Sequence, residues 1–298
     1  MDESTLSTLP ELAARLGSDL VRVQGRRHRG ATGVPWTTPD TIVTTLGAVD
    51  EDDAVDVGLA DGKEVRAEVI GRDPGLALAL LRVPAGALGA PQTQTWRDPE
   101  ELRVGEPALA LARPGQSVRA ALGILGVVGG TPLRLRGGGT LDRYVELDRD
   151  LPRGFSGGLV VDLQGRVIGL ATRSVVRGAS LALGLPTVKR VLDKLDKHGH
   201  VPRGYIGVGV YPARLPKAVA DTLGRSGAIV VVAVEQDGPA QRAGITLGDV
   251  ILAVDGGAVA TPFELRHALE DRAGEHVTLS VLRGGQTTET TVETAARK

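Results

Sequence analysis

Gly154-Phe155-Ser156-Gly157-Gly158 lies between two strand-like runs, Tyr144 to Leu147 before it and Leu159 to Val161 after it. Asp162 to Gly165 then make a turn, and Val167 to Ala171 return antiparallel. Glycines on both sides of a serine permit backbone torsions that other residues resist. The N–H groups of Gly154 and Ser156 are thereby expected to point to one spot. There they would bind a developing oxyanion, often the largest electrostatic contribution to acyl transfer. Taken alone, the same pentapeptide is also an ordinary tight turn, so the surrounding chain has to decide.

Working outward, strand signals dominate on the N-terminal side. Val21 and Val23 open a first strand, and Thr41 to Leu46 form a β-branched run. Val55, Val57 and Leu59 alternate with polar or small residues, as do Val65, Ala67 and Val69. Asp61-Gly62 between those two runs is a strong hairpin signal. Ala77 to Val83 is a continuous apolar run of the kind a buried strand needs. A second β-rich block begins at Ala108 and includes Ala120 to Val128. Two such blocks, about 18–90 and 105–185, fit two packed six-stranded barrels. From Pro186 the period changes, with Val188, Val191, Leu192 and Leu195 on one helical face. Residues 197–203 read as a linker, and 204–298 as a compact α+β domain with two helices, Pro239 to Ala243 and Phe263 to Glu270. At the other end, Leu6, Leu9, Leu12 and Leu16 place an amphipathic helix within 1–17.

Composition excludes several classes of function. The 298 residues suggest two domains, and 41 glycines with only 2% aromatics imply many tight turns between short strands. The net charge of −1 offers no basic field to nucleic acid or anionic lipid. The absence of cysteine rules out thiol nucleophiles, disulfides and thiolate metal sites. No metal or cofactor is expected. Met1 to Leu20 has neither a basic segment nor a continuous apolar one, so the chain as it stands reads as cytoplasmic. If a targeting segment has been removed, the expected address is periplasmic or otherwise extracytoplasmic.

Two stretches together carry a family resemblance. Gly154 to Gly158 resembles the nucleophile motif of the HtrA/Deg serine proteases, whose residue before the serine is usually Asn rather than Phe155. Arg203-Gly204-Tyr205-Ile206-Gly207-Val208, followed by Gly238-Pro239-Ala240 and Gly248-Asp249-Val250-Ile251, resembles the PDZ domain of the same family. The resemblance implies a mostly β chymotrypsin-like double β-barrel over 18–196, followed by the PDZ domain. The family's histidine lies in a Thr-Asn-x-His-Val segment, and the matching residues here are Thr44-Thr45-Leu46-Gly47-Ala48. Its aspartate lies in an Asp-Pro-x-x-Asp-Leu segment, which here reads Asp73-Pro74-Gly75-Leu76-Ala77-Leu78. Gly47 and Ala77 thus stand where the base and its orienting carboxylate belong. A serine hydroxyl needs a base near neutral pH, and losing a triad member costs roughly four to six orders of magnitude. His28, His198, His200, His267 and His276 are the available histidines, and none is placed by sequence to reach Ser156. Phe155 is expected to fill or cover the former oxyanion region.

The resemblance assigns the amides of Ile206, Gly207 and Val208 to a peptide's terminal carboxylate. Ile206, Val208, Leu265 and Leu269 would line an apolar pocket for the last side chain, though all four also suit an ordinary core. The implied function is a bacterial, quality-control-type pseudoprotease, an adaptor that binds protein C-termini or extended apolar peptides. Two alternatives stay open: a weakly active endopeptidase using Ser156 with a non-standard base, and a holdase-type chaperone. The family's trimers rest on aromatic-rich N-termini. Met1 to Leu20 has no aromatic residue, which puts that assembly in doubt and leaves any homo-oligomer open.

Overall fold

The computed structural model describes all residues except 1–7, 26–29, 37–39, 90–93, 131, 136–137, 216 and 298. The chain divides into two units, Met1–Val201 and Pro202–Lys298.

The first unit opens with helix α1 (Leu9–Gly17), which buries Leu12 and Leu16. Strands β1 (Val21–Gln24), β2 (Ala31–Pro35), β3 (Thr41–Thr45), β4 (Ala54–Gly58), β5 (Glu64–Asp73) and β6 (Leu78–Arg82) follow. They close a barrel in the order β1-β2-β3-β6-β5-β4. The Asp61-Gly62 turn joins β4 to β5, with Gly62 at φ +86° and the Leu59 N–H donating to the Lys63 carbonyl at 2.8 Å. A second barrel holds β7 (Pro107–Ala112), β8 (Arg119–Val128), β11 (Val145–Leu147), β12 (Leu159–Val161), β13 (Val167–Thr172) and β14 (Leu181–Leu183). Its order is β11-β14-β13-β12-β7-β8, and a short ribbon of β9 (Leu133–Arg134) and β10 (Thr140–Leu141) lies outside it.

Strand alternation explains why several runs are apolar throughout. In β3 and β6, Ile42, Ala79 and Leu81 point into their own barrel, while Val43, Leu78 and Leu80 join a layer shared with the second barrel. In β7, Ala108, Ala110 and Ala112 fill the second barrel, and Leu109 and Leu111 turn outward into the shared layer. Both faces are therefore buried, and no polar face is left to alternate. Helix α2 (Leu185–His198) adds Val188, Val191, Leu192 and Leu195 to that layer, the four positions its period marks. Gly71 of β5 lets α2 approach, since a methyl group there would lie 2.8 Å from Leu195 Cβ.

Helix α2 runs to His198, and β15 opens at Arg203, so the irregular stretch between them is 199–202. It is shorter at both ends than the expected 197–203. Gly199, at φ +71°, ends the helix by donating its N–H to the Leu195 carbonyl.

The second unit is a sheet of β16 (Val208–Arg214), β17 (Gly227–Val234), β18 (Val250–Val254), β20 (His276–Arg283) and β21 (Gln286–Glu293), in that order. Strand β19 (Gly257–Ala258) pairs with β18, and β15 (Arg203–Tyr205) pairs with β22 (Ala295–Arg297). Among its described residues are three helices rather than the two expected: α3 (Lys217–Leu223), α4 (Pro239–Arg242) and α5 (Pro262–Leu269). The start of α5 is fixed by a capping box between Thr261 and Glu264, one residue earlier than the expected Phe263. Between β15 and β16 the chain is broken at Gly207, whose φ of +77° interrupts an extended backbone.

Candidate functional site

Ser156 is half-buried in the turn that leads into β12. Gly154 and Gly157 on either side have φ of +90° and +86°, and side chains at both positions would collide with backbone or ring atoms. A Cβ on Gly157 would stand 2.1 Å from the Thr32 carbonyl oxygen, and one on Gly154 2.4 Å from Pro114 Cβ. Glycine is thus required here by both torsion and space. The amides of Phe155, Gly157 and Gly158 donate to the carbonyls of Pro152, Ala171 and Phe155. Among the described residues, the amides of Gly154 and Ser156 find no protein acceptor. Those two donors are the pair the sequence singles out for an oxyanion.

Thr32, fully buried in β2, ties this turn to the first barrel. Its N–H reaches the Ser156 carbonyl at 3.4 Å, and its hydroxyl donates to the Gly154 carbonyl at 2.8 Å while accepting from Arg113 N–H at 2.9 Å. Thr44 Oγ1 of β3 donates to the Thr32 carbonyl at 2.8 Å. One residue on, Thr45 Oγ1 and the Leu46 N–H both donate to the Ala77 carbonyl, at 3.2 and 2.7 Å. The end of β3, Ala77 and the serine turn are therefore linked through a few hydrogen bonds. Nothing local in the sequence marks Thr32 or Thr44 as a link to the serine turn, because a threonine within a β-branched run looks like any strand residue.

Gly47 lies in the short 3-10 turn Leu46–Ala48, and a methyl group placed on it would meet no atom within 4 Å. Ala77 has φ +53°, a left-handed conformation rare for residues other than glycine, asparagine and aspartate. Neither side chain carries a proton acceptor. Among the described residues, the one hydrogen bond to Ser156 Oγ comes from the Arg173 backbone N–H at 3.3 Å. Of the histidines in the first unit, His198 and His200 lie at the end of α2 and beside Arg72 of β5, and His28 falls outside the described residues. Asp148 and Asp150 are exposed, and Asp148 Oδ1 accepts the Ile124 N–H.

Phe155 does not cover the oxyanion donors, as had been expected. Its ring is 1% exposed and packs in the core of the second barrel with Leu125, Leu147, Leu151 and Val160. A large apolar residue beside the serine is accommodated because the turn aims that side chain inward, among alanines that leave room for it.

In the second unit, Ile206, Leu265 and Leu269 are buried in one core cluster, and Val208 packs against it half-exposed. The Ile206 carbonyl accepts from the Ala240 N–H at 2.7 Å, and the Gly207 carbonyl from the Glu235 N–H at 2.9 Å. Among the described residues β16 pairs with β17 alone, at the edge of the sheet, and α5 is in contact with it. That edge leaves main-chain groups available to an added strand. Tyr205 OH bonds the Glu235 carboxylate, which flanks Gly207.

The trypsin-like peptidase domain family matches residues 31–170, and the PDZ domain family matches residues 204–294. A protein of Brucella suis biovar 1 named "Probable periplasmic serine endoprotease DegP-like" is 35% identical over 268 residues, covering 86% of this chain and 50% of that protein. A protein of the same name from Halomonas elongata is 32% identical over 260 residues, covering 84% of this chain and 53% of the relative. The chain thus spans about half the length of the curated relatives it matches. Among solved structures, the HtrA-type protease AlgW with tripeptide superposes with TM-score 0.70 at 27% identity, covering 97% of each chain. The same protease with decapeptide gives 0.71 at 25%, covering 97% of this chain and 98% of that one.

Proposed function

The chain belongs to the HtrA/Deg family of trypsin-like, PDZ-containing serine proteases, and from that premise we propose that it is a member without proteolytic activity that works as a peptide-binding adaptor. The observation that carries this reading is the environment of Ser156 Oγ, whose hydrogen bond comes from a backbone amide while Gly47 and Ala77 offer no base. Without proton removal, a serine hydroxyl is a poor nucleophile near neutral pH. The binding role falls to the second unit. There the open edge of β16 adds a peptide strand, and the amides of Ile206, Gly207 and Val208 hold its carboxylate. Ile206, Val208, Leu265 and Leu269 receive its last side chain. That the similar HtrA-type protease AlgW has been solved with a decapeptide and with a tripeptide supports a peptide-binding role. Of the two addresses expected from the sequence, we carry forward the periplasmic one, which the relatives' names also give.

A fluorophosphonate probe compared between wild type and Ser156→Ala tests the first half, with no labelling of either expected. Titration with a library of C-terminal peptides tests the second, and the absence of binding at millimolar peptide overturns it. A second reading, a weakly active endopeptidase, has the two acceptor-free amides of Gly154 and Ser156 in its favour. Labelling of wild type alone would establish it.

A further inference from the structure

Gly207 separates two faces of the segment that would hold a peptide's terminus. Ile206 is buried in the core of the second unit and Val208 packs on the same core. The missing side chain of Gly207 is directed the other way. A Cβ there would lie 3.1 Å from Glu235 Oε2 and 3.3 Å from Glu235 Cβ. Glu235 is exposed, at the end of β17, and its carboxylate is held by Tyr205 OH. Its main chain is fixed as well, since its N–H donates to the Gly207 carbonyl. The carboxylate is therefore stationed next to the terminus-binding segment, on the face opposite the apolar one.

An extended peptide sends successive side chains to opposite faces. If the last one enters the apolar face lined by Ile206 and Val208, the penultimate one emerges on the face where Glu235 stands. We infer that Glu235 is a specificity residue of the groove and that it selects ligands with lysine or arginine at the penultimate position. This rests on the reading of β16 and α5 as a peptide groove. An exposed ion pair of this kind gives about a two- to fivefold preference at low salt, and salt screens it. Tyr205 is the positioning residue, because its hydroxyl restrains the carboxylate that does the selecting.

The test uses the full chain and two fluorescent peptides with the same apolar C-terminal residue, one with penultimate lysine and one with penultimate glutamate. Wild type is expected to bind the lysine peptide about two- to fivefold more tightly at low ionic strength. Glu235→Lys is expected to reverse the preference, and Glu235→Gln to abolish it. Raising the salt is expected to shrink the difference in wild type. Equal binding of both peptides to wild type, or a preference unchanged in Glu235→Lys and Glu235→Gln, overturns the role of Glu235 while leaving the groove intact. Binding of neither peptide to any of the three proteins overturns the groove itself.

Discussion

If residues 47 and 77 stand at the triad's places, as proposed, a histidine at 47 and an aspartate at 77 should turn the first unit into a catalyst, and the local geometry has room for both. A side chain at Gly47 starts into open space, and Gly47 is not among the residues with positive φ. Replacing such a glycine removes freedom from the unfolded chain, a gain of about 0.4–1 kcal/mol. Ala77 sits at φ +53°, where an ordinary L-residue pays roughly 1–2 kcal/mol and aspartate is better tolerated. The double variant Gly47→His, Ala77→Asp should therefore melt within a few degrees of wild type. Its chemistry should change far more. Base and orienter act as a unit, and removing one member costs roughly four to six orders of magnitude, non-additively. With the oxyanion donors of Gly154 and Ser156 already free, the double variant should label with a fluorophosphonate at least about a thousandfold faster than wild type. Gly47→His alone should fall between the two, and Ala77→Asp alone should match wild type. A double variant that keeps its melting temperature and gains no labelling would show that Gly47 and Ala77 do not occupy the triad's places.

Ala77→Gly should stabilise the first unit by about 1 kcal/mol, read by chemical denaturation, because glycine takes φ +53° without strain. Phe155→Ala should destabilise it by about 3–5 kcal/mol, since the ring is fully buried and the alanine-lined barrel cannot close over the gap. Covering an empty oxyanion site would instead predict little loss of stability. In the second unit, the Arg283 side chain forms hydrogen bonds at 2.7 and 2.6 Å to both oxygens of buried Asp249, holding that carboxyl below its ordinary range. A depressed folded value gives stability that is present above the unfolded aspartate value of about 4 and lost as pH falls through the lower folded value. Melting temperatures of wild type and Arg283→Ala should therefore differ most at neutral pH and converge in acid; a constant gap would count against the pair.

Local chemistry made much of this readable. The Asp61-Gly62 hairpin, the helical face from Val188 to Leu195 and the glycine-flanked serine each carry their signal within a few residues, and the structure forms all three elements. What escaped depends on distant partners. Among the described residues, helix α3 contributes Val219 and Ala220 to a small cluster with Leu252 and Leu282, a weak local signal. The break at Gly207 lies where a side chain would meet Glu235, just past β17, at 3.1 Å and Pro239, at the start of α4, at 3.5 Å, neighbours that are distant in sequence. The direction of Phe155 follows from the turn around it, not from its own identity. The hydroxyls of Thr32 and Thr44 gain meaning only when two barrels meet.

Hydrolysis of an unfolded protein such as casein, with wild type and Ser156→Ala side by side, decides whether the serine is active. Indistinguishable, background-level rates are expected. Turnover by wild type that disappears in Ser156→Ala would contradict that expectation, and would mean that a group other than residues 47 and 77 activates the serine.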